Sequence, residues 1–65
     1  MTLPDDMPTK DLRFPRFGTI RAGELARAYP TIWHVTRATD HELALVRDIG
    51  PGLVKVLRRV IAEGK

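Results

Sequence analysis

The chain contains no cysteine, which excludes disulfide bonds and thiolate metal sites and fits a reducing compartment. Its two histidines, His34 and His41, stand apart from any cluster of other metal ligands, so we expect no bound metal and no cofactor. Domains below about 70–80 residues usually rely on such supports, on oligomerisation or on very regular helix packing. A chain of 65 residues is therefore expected to depend on helix packing or on forming a homodimer.

Long apolar runs are also missing. No segment approaches the roughly eighteen apolar residues that span a bilayer, so no membrane partner is expected. The N-terminus, MTLPDDMPTKD, lacks the basic start and apolar core of a signal peptide. These features predict a cytoplasmic protein, and the initial methionine leads us to expect a complete chain.

The usual residue sets of an active site are absent as well. No nucleophile is placed beside a base, no two carboxylates share a predicted helix face, and no set of metal ligands occurs. We therefore predict that the protein is not an enzyme.

Positive charge, by contrast, is present and unevenly placed. The formal net charge is +3. Residues 51–65 hold one acid, Glu63, against four cations: Lys55, Arg58, Arg59 and Lys65. A basic stripe along one helix is typical of a nucleic-acid-binding surface, although an ordinary solvated helix can look the same.

The first eighteen residues have little helical character. Residues 1–18 contain three prolines and no helical periodicity, which predicts an irregular or partly disordered N-terminal arm. Phe14 and Phe17 either fold back onto the domain or, if exposed, form a partner-binding site.

The remainder, residues 19–65, reads as an all-α domain: a compact bundle of four to five short helices. The first helix is expected from Thr19 or Ile20 to about Ala28, with Ile20, Leu25 and Ala28 facing inward, and Pro30 lies beyond its end. A short helical turn over residues 32–35 carries the single tryptophan, Trp33, which we expect in the core.

Two later helices have clear start signals. Thr39 and Glu42 have the spacing of a capping box, which predicts a helix to about Arg47. Pro51 suits the first turn of a last helix that ends near Ala62.

These two helices and the residues between them form the pattern of a helix-hairpin-helix motif. The second helix begins with unpaired N–H groups and a partial positive charge, which suit a phosphate. Gly50 and Gly52 would let the phosphate approach closely, with Arg47 and Lys55 beside it. Asp48 occupies the usual position of the first glycine of the motif and adds an unfavourable negative charge.

The order of features from about Ile20 to Gly64 resembles the C-terminal domain of the bacterial RNA polymerase alpha subunit. The resemblance is carried by segments 24–28, 31–35, 36–39, 43–47 and 48–50 and by the last helix, which ends at Glu63 and Gly64. That family binds the DNA minor groove and contacts transcription activators. The resemblance implies DNA contacts at Arg21, Gly23 and Gly50. Pro51, Gly52 and Leu53 differ from the basic and hydroxyl residues of the family.

Two functions remain open. The first is a DNA-binding module linked to transcription, with weak, salt-dependent and largely sequence-independent binding to double-stranded DNA. Its predicted contacts are Arg21, Gly23, Arg47, Gly50, Gly52, Lys55, Arg58 and Arg59, in a nucleoid-associated protein of a bacterium or phage. The alternative is a protein–protein interaction module that contacts the transcription machinery or another partner through Leu53, Phe14 and Phe17.

Overall fold

A computed structural model describes residues 2–64 of the chain. Within them lie four α-helices: α1 (Thr19–Ala28), α2 (Ile32–Arg37), α3 (Asp40–Ala44) and α4 (Pro51–Glu63), preceded by a 3₁₀ turn at Thr9–Asp11. This part of the chain contains no β-strand, only isolated bridges between Pro8 and Thr31 and between Phe14 and Phe17. The prediction of a mainly helical, compact protein is confirmed. None of these helices has the length and apolar character needed to cross a bilayer.

Local sequence signals explain where the helices begin. At the start of α3, the Thr39 N–H donates to Glu42 Oε1 at 2.8 Å, and the Glu42 N–H donates to Thr39 Oγ1 at 3.1 Å. The predicted capping box is therefore confirmed. Pro51 occupies the first turn of α4, as expected.

The end of α3 differs from the prediction. The helix stops at Ala44 rather than near Arg47, because the chain tightens into shorter turns. The N–H of Val46 donates to the carbonyl of Leu43 at 3.1 Å, and the N–H of Ile49 donates to that of Val46 at 3.1 Å. Both bonds span three residues, so residues 45–50 form a compact turn between α3 and α4.

The core draws on every helix and on the N-terminal arm. Its buried apolar members are Leu12, Phe17, Ala22, Leu25, Ile32, Val35, Ala38, Leu43, Ile49, Leu53, Val54, Leu57 and Ile61. Residues 2–18 lie against the helices rather than projecting from them. The N–H of Leu3 donates to the Ile61 carbonyl at 2.8 Å, and the N–H of Thr9 donates to the Pro30 carbonyl at 2.9 Å. The arm thus supplies apolar surface that four short helices lack.

Three residues expected to face inward do not. Ile20 is 77% exposed and Ala28 is exposed, because Ala22 and Leu25 form the buried side of α1. Trp33 is 43% exposed, because Ile32 and Val35 take the core positions of α2. The Trp33 ring instead packs under the Arg37 guanidinium, 5.1 Å from the ring centroid.

Candidate nucleic-acid interface

The turn between α3 and α4 depends on an unusual backbone conformation at Asp48. Its φ is 66°, in the left-handed region that non-glycine residues seldom occupy. Aspartate tolerates this conformation better than most residues with a Cβ.

Arg21 holds this turn from α1. Its Nε donates to the Asp48 carbonyl at 3.0 Å, and its Nη1 donates to the Arg16 carbonyl at 3.0 Å. Arg16 also has a positive φ, of 70°, so one guanidinium joins the two non-glycine left-handed residues of the described chain. Arg21 therefore lies beside the turn, and two of its donors bind backbone carbonyls of the protein itself, whereas the resemblance implied a contact with DNA.

The N-terminus of α4 opens directly from this turn. Gly50 is its N-cap residue, and no side chain caps the helix. The N–H groups of Gly52 and Leu53 belong to the first turn, where an α-helix offers no internal acceptor. A Cβ built at Gly50 or Gly52 would meet no protein atom within 4 Å. Packing therefore does not require these glycines, and the helix start is accessible from outside.

Two of the predicted cations share the outer face of α4 with Gly52. We use this name for Gly52, Lys55, Val56 and Arg59, which are all exposed and recur at the i, i+3, i+4 spacing of one helix face. The structure thus brings together the uncapped helix start and the charges of Lys55 and Arg59.

Arg58 lies apart from that face and is held by the protein. Its Nε donates to Asp40 Oδ1 at 2.9 Å, and its Nη1 and Nη2 donate to the carbonyls of Val35 and Ala38 at 3.2 and 2.6 Å. These carbonyls lie at the end of α2, so Arg58 joins α4 to the α2–α3 junction. The prediction that Arg58 contributes to an open basic stripe is corrected: all three of these donors are engaged within the fold.

Arg47 and Gly23 also lie away from the outer face of α4. Arg47 is exposed and lines a groove between the turn and the second half of α1. Gly23 is half-buried in α1, and an added Cβ would meet no protein atom within 4 Å.

The residues predicted to bind a protein partner are largely inaccessible. Phe17 is 1% exposed and Leu53 is 8% exposed, so both belong to the core. Phe14 is half-buried and stacks on Phe17, with ring centroids 4.6 Å apart. The phenylalanine pair folds back onto the domain because the four helices leave an apolar surface uncovered. The exposed-pair alternative is corrected, as is the exposure expected of Leu53.

The capping box at the start of α3 also shifts the pKa of one of its own side chains. The Thr39 N–H and hydroxyl stabilise the charged form of Glu42 and lower the pKa of this carboxyl below its ordinary value of 4.5. Within residues 2–64, no group of three or more His, Cys, Asp or Glu side chains could hold a metal ion.

The chain matches no protein-family model, no characterised protein and no solved structure.

Proposed function

We propose that this protein is a small helix-hairpin-helix DNA-binding module that contacts the phosphate backbone and confers little base specificity. One observation carries the proposal: the uncapped N-terminus of α4 lies on the same open face as Lys55 and Arg59. The link to transcription, and with it a nucleoid location in a bacterium or phage, rests on the resemblance to the alpha-subunit domain.

The chemistry of this face suits a phosphate. The amides of Gly52 and Leu53 and the positive end of the α4 dipole attract an anion, and the absence of a Cβ at Gly50 and Gly52 lets it approach. Lys55 lies one turn further and Arg59 one turn beyond that, so both can follow a nucleic-acid backbone. Contacts of this kind hold DNA but read no bases.

Two features limit the affinity. Asp48 places a carboxylate near the proposed phosphate site, and a single hairpin covers little DNA. Arg21 would have to give up two hydrogen bonds to enter a minor groove. We therefore assign to Arg21 a supporting role beneath the turn, and expect binding to be weak and to depend strongly on salt.

The test is a titration of short duplex DNA at several salt concentrations. The double variant Lys55→Glu, Arg59→Glu should abolish binding, whereas Lys10→Glu, Arg37→Glu makes the same change in net charge outside the outer face of α4 and should weaken it much less. The slope of log K against log salt is negative, and each lost phosphate contact makes it less steep by about 0.9. Absence of binding by the wild-type protein at low salt, or equal effects of the two double variants, would contradict the proposal.

A second variant separates binding from folding. Gly52→Glu adds an acid to the first turn of α4, where the helix dipole favours it and where the added Cβ meets no protein atom. We expect unfolding at a higher temperature together with weaker DNA binding. Unchanged DNA affinity would show that phosphate does not approach this helix start.

A protein–protein interaction module remains the second candidate, and the exposed Trp33 supports it. Trp and Arg are enriched among the residues that carry most of the binding energy at protein interfaces, and here a 43%-exposed indole lies beneath the Arg37 guanidinium. Binding to purified RNA polymerase of the native host, lost in Trp33→Ala while duplex binding is unchanged, would favour this function. If Trp33→Ala also lost duplex binding, the result would not favour the interaction module.

A further inference from the structure

Residues 14–17 form a tight turn at the end of the N-terminal arm. The Phe17 N–H donates to the Phe14 carbonyl at 2.9 Å, and the Phe14 N–H donates to the Phe17 carbonyl at 3.4 Å. Pro15 occupies the second position of this four-residue turn, and Arg16 occupies the third. The φ of Arg16 is 70°, as the third position of a type II turn requires. Glycine is usual there, because a Cβ strains a left-handed backbone.

The turn is held in place by the rest of the fold. The Phe14 and Phe17 rings stack with their centroids 4.6 Å apart, and Phe17 is buried in the core. Arg21 Nη1 donates to the Arg16 carbonyl at 3.0 Å. The proline ring also restricts the backbone one residue earlier. These contacts fix the backbone at Arg16 in its strained conformation.

None of these contacts uses the Arg16 side chain. Arg16 is exposed, and its guanidinium forms no hydrogen bond and no ion pair within residues 2–64. Glycine would allow the same backbone without the strain, so no polar contact of the fold accounts for an arginine at this position. Backbone strain that the fold sustains in this way is concentrated at sites that bind a ligand.

The location of the turn indicates what Arg16 can bind. Arg21 donates to the Arg16 carbonyl and to the Asp48 carbonyl, each at 3.0 Å, so the two turns lie side by side. Asp48 is two residues before Gly50, the N-cap residue of α4. The turn that carries Arg16 is therefore a neighbour of the helix start to which we assign a phosphate.

We propose that Arg16 is a second contact for the DNA backbone, beside the α4 N-terminus. This inference rests on the proposed function. A guanidinium binds phosphate through charge-assisted and often paired hydrogen bonds. Duplex DNA carries one charge for about every 1.7 Å of its axis, so anions are available to both sites at once. Because the turn is already fixed, only the arginine side chain has to be ordered on binding, which lowers the entropic cost.

The proposal also gives Arg21 a role in binding. Its guanidinium joins the Arg16 turn to the turn before α4, so it holds the two proposed phosphate contacts at a constant separation. Arg21 is thus a positioning residue, and Arg16 is the residue that touches DNA.

The variant Arg16→Gly separates binding from stability, because it removes a cation and relieves the strained backbone together. We expect thermal unfolding at a temperature a few degrees higher. We expect the affinity for a short duplex at low salt to fall about tenfold, and the salt dependence to become less steep by about 0.9. A duplex affinity equal to that of wild type overturns the proposal.

Arg13→Gly is the matched control. It removes the same charge from the same segment, but Arg13 Nη1 already donates to the carbonyls of Lys10 and Leu12, at 2.6 and 2.7 Å, and its backbone is not left-handed. This variant should unfold at a lower temperature than wild type and should lose much less duplex affinity than Arg16→Gly. Equal losses of affinity in the two variants would show that only net charge matters, which also overturns the proposal.

The same titrations distinguish this inference from the proposed function. If Lys55→Glu, Arg59→Glu abolishes duplex binding and Arg16→Gly does not weaken it, only the assignment of Arg16 fails. If the wild-type protein does not bind duplex DNA at low salt, the proposed function fails and the assignment of Arg16 fails with it.

Discussion

At the scale of single residues, the turn before α4 depends on one arginine and one aspartate. Asp48 is held in the left-handed region, and the Arg21 guanidinium binds its carbonyl together with that of Arg16. Left-handed backbone is costly for a residue with a Cβ, and charged donors to carbonyls are among the stronger hydrogen bonds. Arg21 therefore offsets part of the strain that Asp48 introduces.

This coupling predicts the result of a double-mutant cycle. Asp48→Gly should raise the free energy of unfolding by up to about 1 kcal/mol, because glycine adopts the same φ without strain. Arg21→Ala should destabilise the Asp48→Gly variant more than it destabilises the wild-type protein, because only in the wild type does release of the turn also relieve strain at residue 48. Chemical denaturation of the four proteins measures the coupling. Strictly additive effects would show that Arg21 does not stabilise the strained turn.

Thr9 is a second residue whose role is clear only from its surroundings. Its side chain is fully buried, and Oγ1 has no hydrogen-bond partner within the described residues. Thr9→Val keeps the shape and removes the unpaired hydroxyl, so we expect a gain of about 1 kcal/mol in unfolding free energy. Thr9→Ser, which keeps the hydroxyl but loses a methyl group, should be destabilised. A loss of stability in Thr9→Val would show that the hydroxyl has a partner in solution.

At the scale of secondary-structure elements, α3 and α4 show two ways to begin a helix. At the start of α3, the capping box pairs the backbone N–H groups of Thr39 and Glu42 with side-chain oxygens. The first turn of α4 has Gly50 as its N-cap residue and no side-chain cap. In α3, side chains of the helix itself accept hydrogen bonds from N–H groups at its start, which stabilises the fold. In α4, the N–H groups of the first turn have no side-chain acceptor, so they can bind an anion.

The capping box predicts a specific pH dependence. Because the pKa of Glu42 is lower in the folded protein than its ordinary value of 4.5, its charged form stabilises the fold above that value. This contribution should disappear as the pH falls through the lowered pKa. Glu42→Gln keeps a side-chain oxygen that can accept from the Thr39 N–H, but its amide does not titrate in this pH range. Thermal unfolding below pH 4.5 should therefore show a smaller loss of stability in the variant than in wild type. Equal losses would show that other carboxyl groups dominate.

At the scale of the whole molecule, Arg58 and the N-terminal arm join parts of the chain that are distant in sequence. Arg58 connects α4 to the carbonyls at the end of α2 and to Asp40 at the start of α3. The arm adds Leu12 and Phe17 to the core. The fold is thus held by long-range contacts as well as by the packing of four helices.

Removing the Arg58 contacts should be costly. Arg58→Ala should lower the unfolding free energy by about 1–3 kcal/mol, because it leaves two partly buried carbonyls without their donor. Arg58→Lys should recover little, since an ammonium cannot reproduce the forked geometry. Arg59→Ala, on the exposed outer face, is the control and should change stability by less than about 0.5 kcal/mol. Similar effects at positions 58 and 59 would contradict the structural role of Arg58.

The sequence by itself determined the features that depend on neighbouring residues. The capping box, the proline at the start of α4 and the mainly helical character were predictable, because their donors, acceptors and apolar spacing lie within a few positions of one another. The uncapped α4 N-terminus and its accompanying Lys55 and Arg59 could be predicted for the same reason. The left-handed backbone at Asp48 was not predicted, because the sequence marked this residue only for its negative charge.

Only the tertiary structure decided which side chains are exposed and free of hydrogen bonds within the fold, and so available for binding. Arg58 and Arg59 are adjacent cations, yet one is held by three acceptors that lie far away in sequence and the other is exposed. Trp33 is exposed and Phe17 is buried, although hydrophobicity alone favours burial of both. The physical reason is that burial and hydrogen bonding depend on distances between elements, and helical periodicity does not specify those distances.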